Sequence, residues 1–191
     1  MGTVDNAANK ARFIELCKST QREGMNELLA WLEKTDFFVA PASTRFHGAY
    51  EGGLLQHSLN VYDEFKRLQR AYPEIEAPED SVIISTLFHD FCKINMYASY
   101  KRNVKNEETG KWEQVDAYKH DEKFCFGGHG SKSVYLVQHF IKLEPREAVA
   151  INCHMSCWQG DTDVGSAFES FPFAWLVHVA DEGSSYLREK D

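Results

Sequence analysis

His57 shares a stripe with Leu54, Val61, Phe65 and Leu68, a spacing that points its imidazole to the apolar side of a helix. His89 and Asp90 are adjacent inside the apolar stretch 82–94, and Asp90 shares a stripe with Ile83, Leu87 and Ile94. Asp181 lies one turn beyond Val177 and His178. A carboxylate aimed at a core is costly unless it is paired or holds a cation. Two imidazoles and two carboxylates from three helices form an N/O donor set suited to a divalent metal, Mn or Fe first, with Co, Ni, Zn or Mg also accommodated. His129 opens one helix and His154 ends another. They would complete a second metal position, with Asp90 bridging two ions. Such a pair generates a nucleophilic water near neutral pH and stabilises charge on an in-line phosphoryl transition state. Singly, each of these residues is an ordinary core or helix-end residue; their joint occurrence carries the metal reading.

The elements that must position them read mostly as helices. An amphipathic helix covers residues 6–18. Thr20 and Glu23 have capping-box spacing ahead of the stripe Met25, Leu28, Leu29 and Leu32. Phe37 to Gly53, with Pro41, Gly48 and Gly52, reads as a loop. Helices are expected from Leu54 to about Ala71 and, after a linker bracketed by Pro73 and Pro78, from Asp80 or Ser81 to about Asn95. Residues 97–120 carry β-formers at near-alternate positions around the turn Asn106–Gly110, which predicts one exposed β-hairpin. A helix runs from Gly128–Ser131 to about Lys142. Pro145 opens another that ends near His154. A loop follows over 155–170, and Pro172 opens the last helix, to about Leu187. The predicted fold class is therefore all-α: a helical bundle with one small inserted β-hairpin, about 97–120.

The chain has 191 residues, enough for a single domain with its own core. With 43% hydrophobic and 26% charged residues it falls in the folded rather than the disordered class. A net charge of −8 disfavours a duplex-DNA binder but not a small phosphorylated substrate, because a local metal cluster can outweigh an acidic surface. No apolar run approaches the roughly 18 residues that cross a bilayer, and Met1 to Arg12 lacks a signal-peptide core, so no membrane partner is expected. The five cysteines (17, 92, 125, 153 and 157) are scattered, which reads as reduced thiols and a cytoplasmic location.

Three segments add context to the donor set: Gly52-Gly-Leu-Leu-Gln-His57-Ser-Leu, Leu87-Phe-His-Asp-Phe-Cys-Lys93-Ile and Leu176-Val-His-Val-Ala-Asp181. This ordered set, with His129 and His154 between, resembles the HD-domain metal-dependent phosphohydrolase superfamily over roughly residues 45–187. The opening loop, Arg45-Phe-His47 onward, is most similar to the HD module of bacterial 3′–5′ exoribonucleases. Their OB domain is not part of this sequence, so RNA degradation is not expected. Lys93 is not followed by the Gly-Tyr-Pro segment of cyclic-di-GMP phosphodiesterases, and the His-Asp-x-x-Glu-Asp of alarmone hydrolases is absent.

The resemblance implies a single HD-type domain over 1–191, in which N-terminal helices (1–44) pack on an HD core (45–187). It implies a divalent metal centre, two ions held by His57, His89, Asp90, His129, His154 and Asp181, that hydrolyses a nucleotide or short-oligonucleotide phosphate ester through a metal-bound hydroxide. Asp90 and Lys93 would be catalytic, Lys93 neutralising phosphate charge. Arg45 and His47 in the loop ahead of the first ligand, and Trp158 as a wall for a base, are the expected substrate contacts. His178 reads as a hydrogen-bonded structural residue, and Cys153 and Cys157 as packing. Two other readings share this ligand set: an HD-type di-iron oxygenase and a non-catalytic nucleotide-binding module.

Overall fold

The computed structural model describes residues 5–156 and 163–189. The order is α1 (Asn6–Ser19), α2 (Met25–Leu32), α3 (Gly53–Gln69), α4 (Glu79–Phe88), a 3₁₀ turn (Phe91–Lys93), β1 (Tyr97–Lys105), β2 (Trp112–His120), α5 (His129–Gln138), α6 (Pro145–Cys153), α7 (Val164–Ser170), α8 (Pro172–Gly183) and a π-helical turn (Ser184–Arg188). The molecule is thus mostly helical with one inserted hairpin. Among the described residues no helix is long and apolar enough to cross a membrane.

Asp5 caps α1 by accepting from Ala8 N at 3.0 Å. Thr20 does not open α2, as its spacing to Glu23 suggested. Its hydroxyl donates to Cys17 O at 2.7 Å and accepts from Arg22 N at 3.3 Å, so it closes α1. The start of α2 is set instead by Gly24 (φ +83°), where a Cβ would lie 1.9 Å from Phe140 O. Arg22, released by this turn, reaches Asp80 Oδ2 at 3.1 Å and the fully buried Glu147 at 2.8 Å, tying the α1–α2 corner to α4 and α6.

Along α3, Leu54, Leu55 and Leu59 join one apolar cluster and Val61 and Phe65 a second. The first is built on Phe13, Leu28, Phe37, Ile84, Phe88, Phe91 and Ile151, with Phe88 and Phe91 ring centroids 4.7 Å apart. The second packs α3 against α8 through Phe173, Leu176 and Val177. Helix α6 bridges α4, α5 and α8. The hairpin pairs Tyr97 with His120 and Lys105 with Trp112 in antiparallel register. Asn106 Oδ1 accepts from the Glu108 and Thr109 amides at 3.0 Å, and Gly110 takes φ +70°, which is the turn chemistry the sequence predicted.

Two expectations are corrected. The fourth helix ends at Phe88 rather than near Asn95. Asp90 (φ −100°, ψ 19°) leaves the helix, and the Cys92 amide donates to Ser133 Oγ on α5 at 2.9 Å instead of to the preceding turn. The expected loop 155–170 contains α7, capped by Asp163 on Ser166 N at 3.1 Å.

At Gly130 an added Cβ would fall 2.1 Å from Asn152 O, so α5 meets the end of α6 backbone to backbone, beside His129 and His154. Gly130→Ala should force these helices apart. The expected cost is about 1–3 kcal/mol of unfolding free energy in equilibrium urea titrations; an unchanged midpoint would show that the contact yields without strain.

Candidate metal centre

His57 projects from the second turn of α3, whereas His89 and His154 occupy the C-terminal cap positions of α4 and α6. Asp181 sits in α8, two residues before its end. Consecutive residues on a continuous helix diverge by about 100°. The break after Phe88 removes that constraint, so both His89 and Asp90 face inward, with His89 Nε2 and Asp90 Oδ2 3.5 Å apart. His57 Nε2 stands 3.3 Å from His89 Nε2, 3.1 Å from Asp181 Oδ1 and 3.6 Å from Asp90 Oδ2. His154 Nε2 approaches the other oxygen of Asp90, Oδ1, at 3.5 Å. All five residues are buried. Two triads that could hold an ion emerge, His57–His89–Asp181 and His89–Asp90–His154, and a third joins His47, His57 and Glu189.

The tautomers test whether a cation fits. His89 Nδ1 donates to Thr86 O at 2.8 Å and His154 Nδ1 to Ile151 O at 2.7 Å. Each ring therefore carries a proton on Nδ1 and directs Nε2 inward; for His154, burial disfavours the imidazolium but Asp90 outweighs it and raises the pKa. His154 Nε2 is fully buried and has no hydrogen-bond partner among the described residues. Asn6 Oδ1 and Ser85 Oγ also lack a partner there; His154 Nε2 differs in facing a carboxylate, Asp90, where a cation could take the place of its proton.

Three other sequence-predicted residues, His47, Lys93 and His129, line a cavity of about 500 Å³ whose walls also include Phe46, Asp90, Asp181, Tyr186 and Glu189. Lys93 Nζ is 2.6 Å from Asp90 Oδ2. Burial works against its charge, but Asp90 outweighs burial and raises the lysine's pKa, so it stays an ammonium. Burial also opposes ionisation of Asp90, yet Lys93 and His89 hold its carboxyl well below the usual range. His129 reaches the cavity from the start of α5, its Nδ1 3.3 Å from Cys92 Sγ, outside the three triads. Burial lowers the pKa of His129 and of His47, the latter with help from His57 and Lys93.

Ser43 Oγ accepts from Phe46 N at 2.8 Å and donates to His47 O at 2.9 Å, a turn that sends Phe46 and His47 toward the cavity. Arg45 is exposed and does not line it. Trp158 and Cys157 lie outside the described residues. Cys153 is buried. His178 Nδ1 donates to His154 O at 2.7 Å, joining α8 to the end of α6. The residue that sequence reasoning missed is Glu189, whose carboxylate lies 3.0 and 3.2 Å from His57 Nδ1. Its only signal was proximity to the end of the last predicted helix.

For His57, burial disfavours the imidazolium, but hydrogen bonds to Asp181 and Glu189 outweigh burial and raise its pKa to about 10. A cation bound at Nε2 displaces that proton. Below pH 10 its apparent affinity should therefore rise with pH, by about tenfold per unit, with about one proton released per ion. Calorimetry in buffers of different ionisation enthalpy measures this; an affinity independent of pH from 7 to 9 would remove His57 Nε2 from the ligand set.

No family model and no solved structure matches the chain. A curated relative, the dihydroneopterin 2′,3′-cyclic phosphate phosphodiesterase of Methanocaldococcus jannaschii, is 24% identical over 155 residues, which cover 78% of this chain and 53% of that protein. The chain thus spans about half the length of the curated relative it matches. The relative is a phosphodiesterase, and the buried His/Asp groups of this chain could hold a metal ion.

Proposed function

We propose that this chain is an HD-type, metal-dependent phosphohydrolase or phosphodiesterase, a single cytoplasmic domain acting on a small nucleotide-like phosphate ester. The observation that carries the reading is the convergence of His57, His89, Asp90, His154 and Asp181 as two buried triads that share His89. In this reading His57, His89, Asp90 and Asp181 would hold one divalent cation, and Asp90, His129 and His154 would hold a second. Asp90 would serve both; one of its oxygens faces the His57–His89 pair and the other faces His154. Bound there, the cations supply Lewis acidity toward phosphoryl oxygens and a nucleophilic water at neutral pH.

The chain's own groups do the rest. Lys93 remains charged on the cavity wall and offsets the charge that builds on the phosphoryl oxygens. His47, kept neutral by burial beside two cationic neighbours, offers an uncharged hydrogen bond to the ester. The relative is named for a 2′,3′-cyclic phosphate of dihydroneopterin. That supports 2′,3′-cyclic phosphodiesters as the first compounds to test.

The test is a screen of nucleoside monophosphates, 2′,3′-cyclic phosphates and short oligonucleotides with Mn²⁺, Fe²⁺, Co²⁺, Zn²⁺ or Mg²⁺. Hydrolysis should require metal and proceed anaerobically with Mn²⁺; a strict oxygen requirement would identify an oxygenase, and tight binding of an intact nucleotide a binding module. Asp90→Ala should lose both bound metal and turnover, and full activity in that variant would overturn the assignment. Lys93→Met should keep its metal while kcat/KM falls about 10²-fold, the usual effect of removing one preorganised charge partner.

A further inference from the structure

We infer that Glu189 is a positioning residue: it holds the Nδ1 proton of His57 and so turns that ring's Nε2 toward the cation site. The inference rests on the metal reading above. It follows from a difference between the three converging imidazoles. His89 and His154 stand at helix C-termini, where the chain leaves the helix and the carbonyls of the preceding turn lose their amide partners. Each uses such a carbonyl, Thr86 O or Ile151 O, three residues back, as the acceptor for its Nδ1–H. The ring orientation is thus a by-product of helix termination.

His57 has no such resource. It lies in the second turn of a seventeen-residue helix whose carbonyls are engaged in the helix ladder, and Leu54 O also accepts from Ser58 Oγ at 3.0 Å. The acceptor must come from elsewhere, and the segment after α8 supplies it. Glu189 Oε1 and Oε2 lie 3.0 and 3.2 Å from His57 Nδ1, and Asn60 Nδ2, one turn along α3, donates to Oε1 at 2.8 Å. The preceding residue anchors the segment: Arg188 Nε contacts Glu64 Oε2 at 2.5 Å, and Glu64 also pairs with Arg67. Two carboxylates, one salt-bridged and one hydrogen-bonded, thereby lay the π-helical turn along α3 with Glu189 on the far side of the ring from Asp181. A carboxylate behind a ligating imidazole fixes tautomer and orientation and strengthens the donor nitrogen.

The test compares Glu189→Gln and Glu189→Leu with the wild-type full chain, using Zn²⁺ as the probe. Zn²⁺ affinity, from competition with a chromophoric chelator, should fall 10- to 100-fold in Glu189→Leu, with much of the loss recovered by Glu189→Gln, which keeps an oxygen acceptor. In ¹⁵N-detected imidazole spectra of the Zn²⁺-loaded wild type, His57 should carry its proton on Nδ1; that resonance should move upfield in Glu189→Gln, where the acceptor is neutral. Should Glu189→Leu fail to fold, judged by the metal-free melting curve, the Gln variant carries the spectroscopic test alone. Unchanged affinity in Glu189→Leu, or an unchanged His57 resonance in Glu189→Gln, would overturn the role of Glu189 while leaving the metal centre intact. A wild type that binds no Zn²⁺ and none of the other divalent ions would instead overturn the metal reading and this inference with it.

Discussion

Inward-facing imidazole nitrogens and carboxylates are the constraint around which this molecule is arranged. His89 and His154 each donate Nδ1–H to a backbone carbonyl of their own helix, so that their Nε2 atoms meet carboxylate oxygens in a buried space. In water such acceptors would be hydrated. In a closed interior they repel one another unless a positive charge lies between them. Lys93 answers part of the need through its ammonium on Asp90, and a protonated His57 between Asp181 and Glu189 answers another part. The orphaned nitrogen of His154 is left over. The buried triads His57–His89–Asp181 and His89–Asp90–His154 could hold a metal ion there.

The fold meets this constraint by ending helices at the site rather than by running them through it. Helix α4 stops at Phe88 and α6 at Cys153, and α5 begins at His129. Helix ends free carbonyls and allow neighbouring side chains to share a direction, which a continuous helix forbids. Gly130 lets α5 approach α6 closely enough for two of these ends to meet, and His178 bonds α8 to the same end of α6. Apolar packing on both sides, Phe88 and Phe91 in one cluster and Val61, Phe65 and Leu176 in the other, holds the ends in place.

Much of this was legible in the sequence because the relevant signals are periodic. The stripe through Leu54, Val61 and Phe65 placed His57 on the inner face of α3, and Asn106–Gly110 announced the hairpin turn. What was not legible depends on contacts between distant segments. No glycine or proline marks the end of α4. The helix breaks there because Cys92 N finds Ser133 Oγ, forty-one residues away in the chain. Thr20 could cap the helix after it or close the one before, and only the tight approach of Gly24 to Phe140 decides which. Arg45 and His47 were indistinguishable as loop residues until the Ser43 turn set their directions. Glu189 carried no pattern at all, since its role is defined by a ring on α3.

The donors are drawn from elements scattered between α3 and α8, and this has a consequence for how the chain acquires its ion. No short stretch contains a competent pocket, because the triads draw on residues from α3, the ends of α4 and α6, and α8. An ion that binds the assembled site more tightly than the unfolded chain would favour the native state by mass action. It would act as a late keystone, contributing little to early folding and then making departure from the finished arrangement rarer.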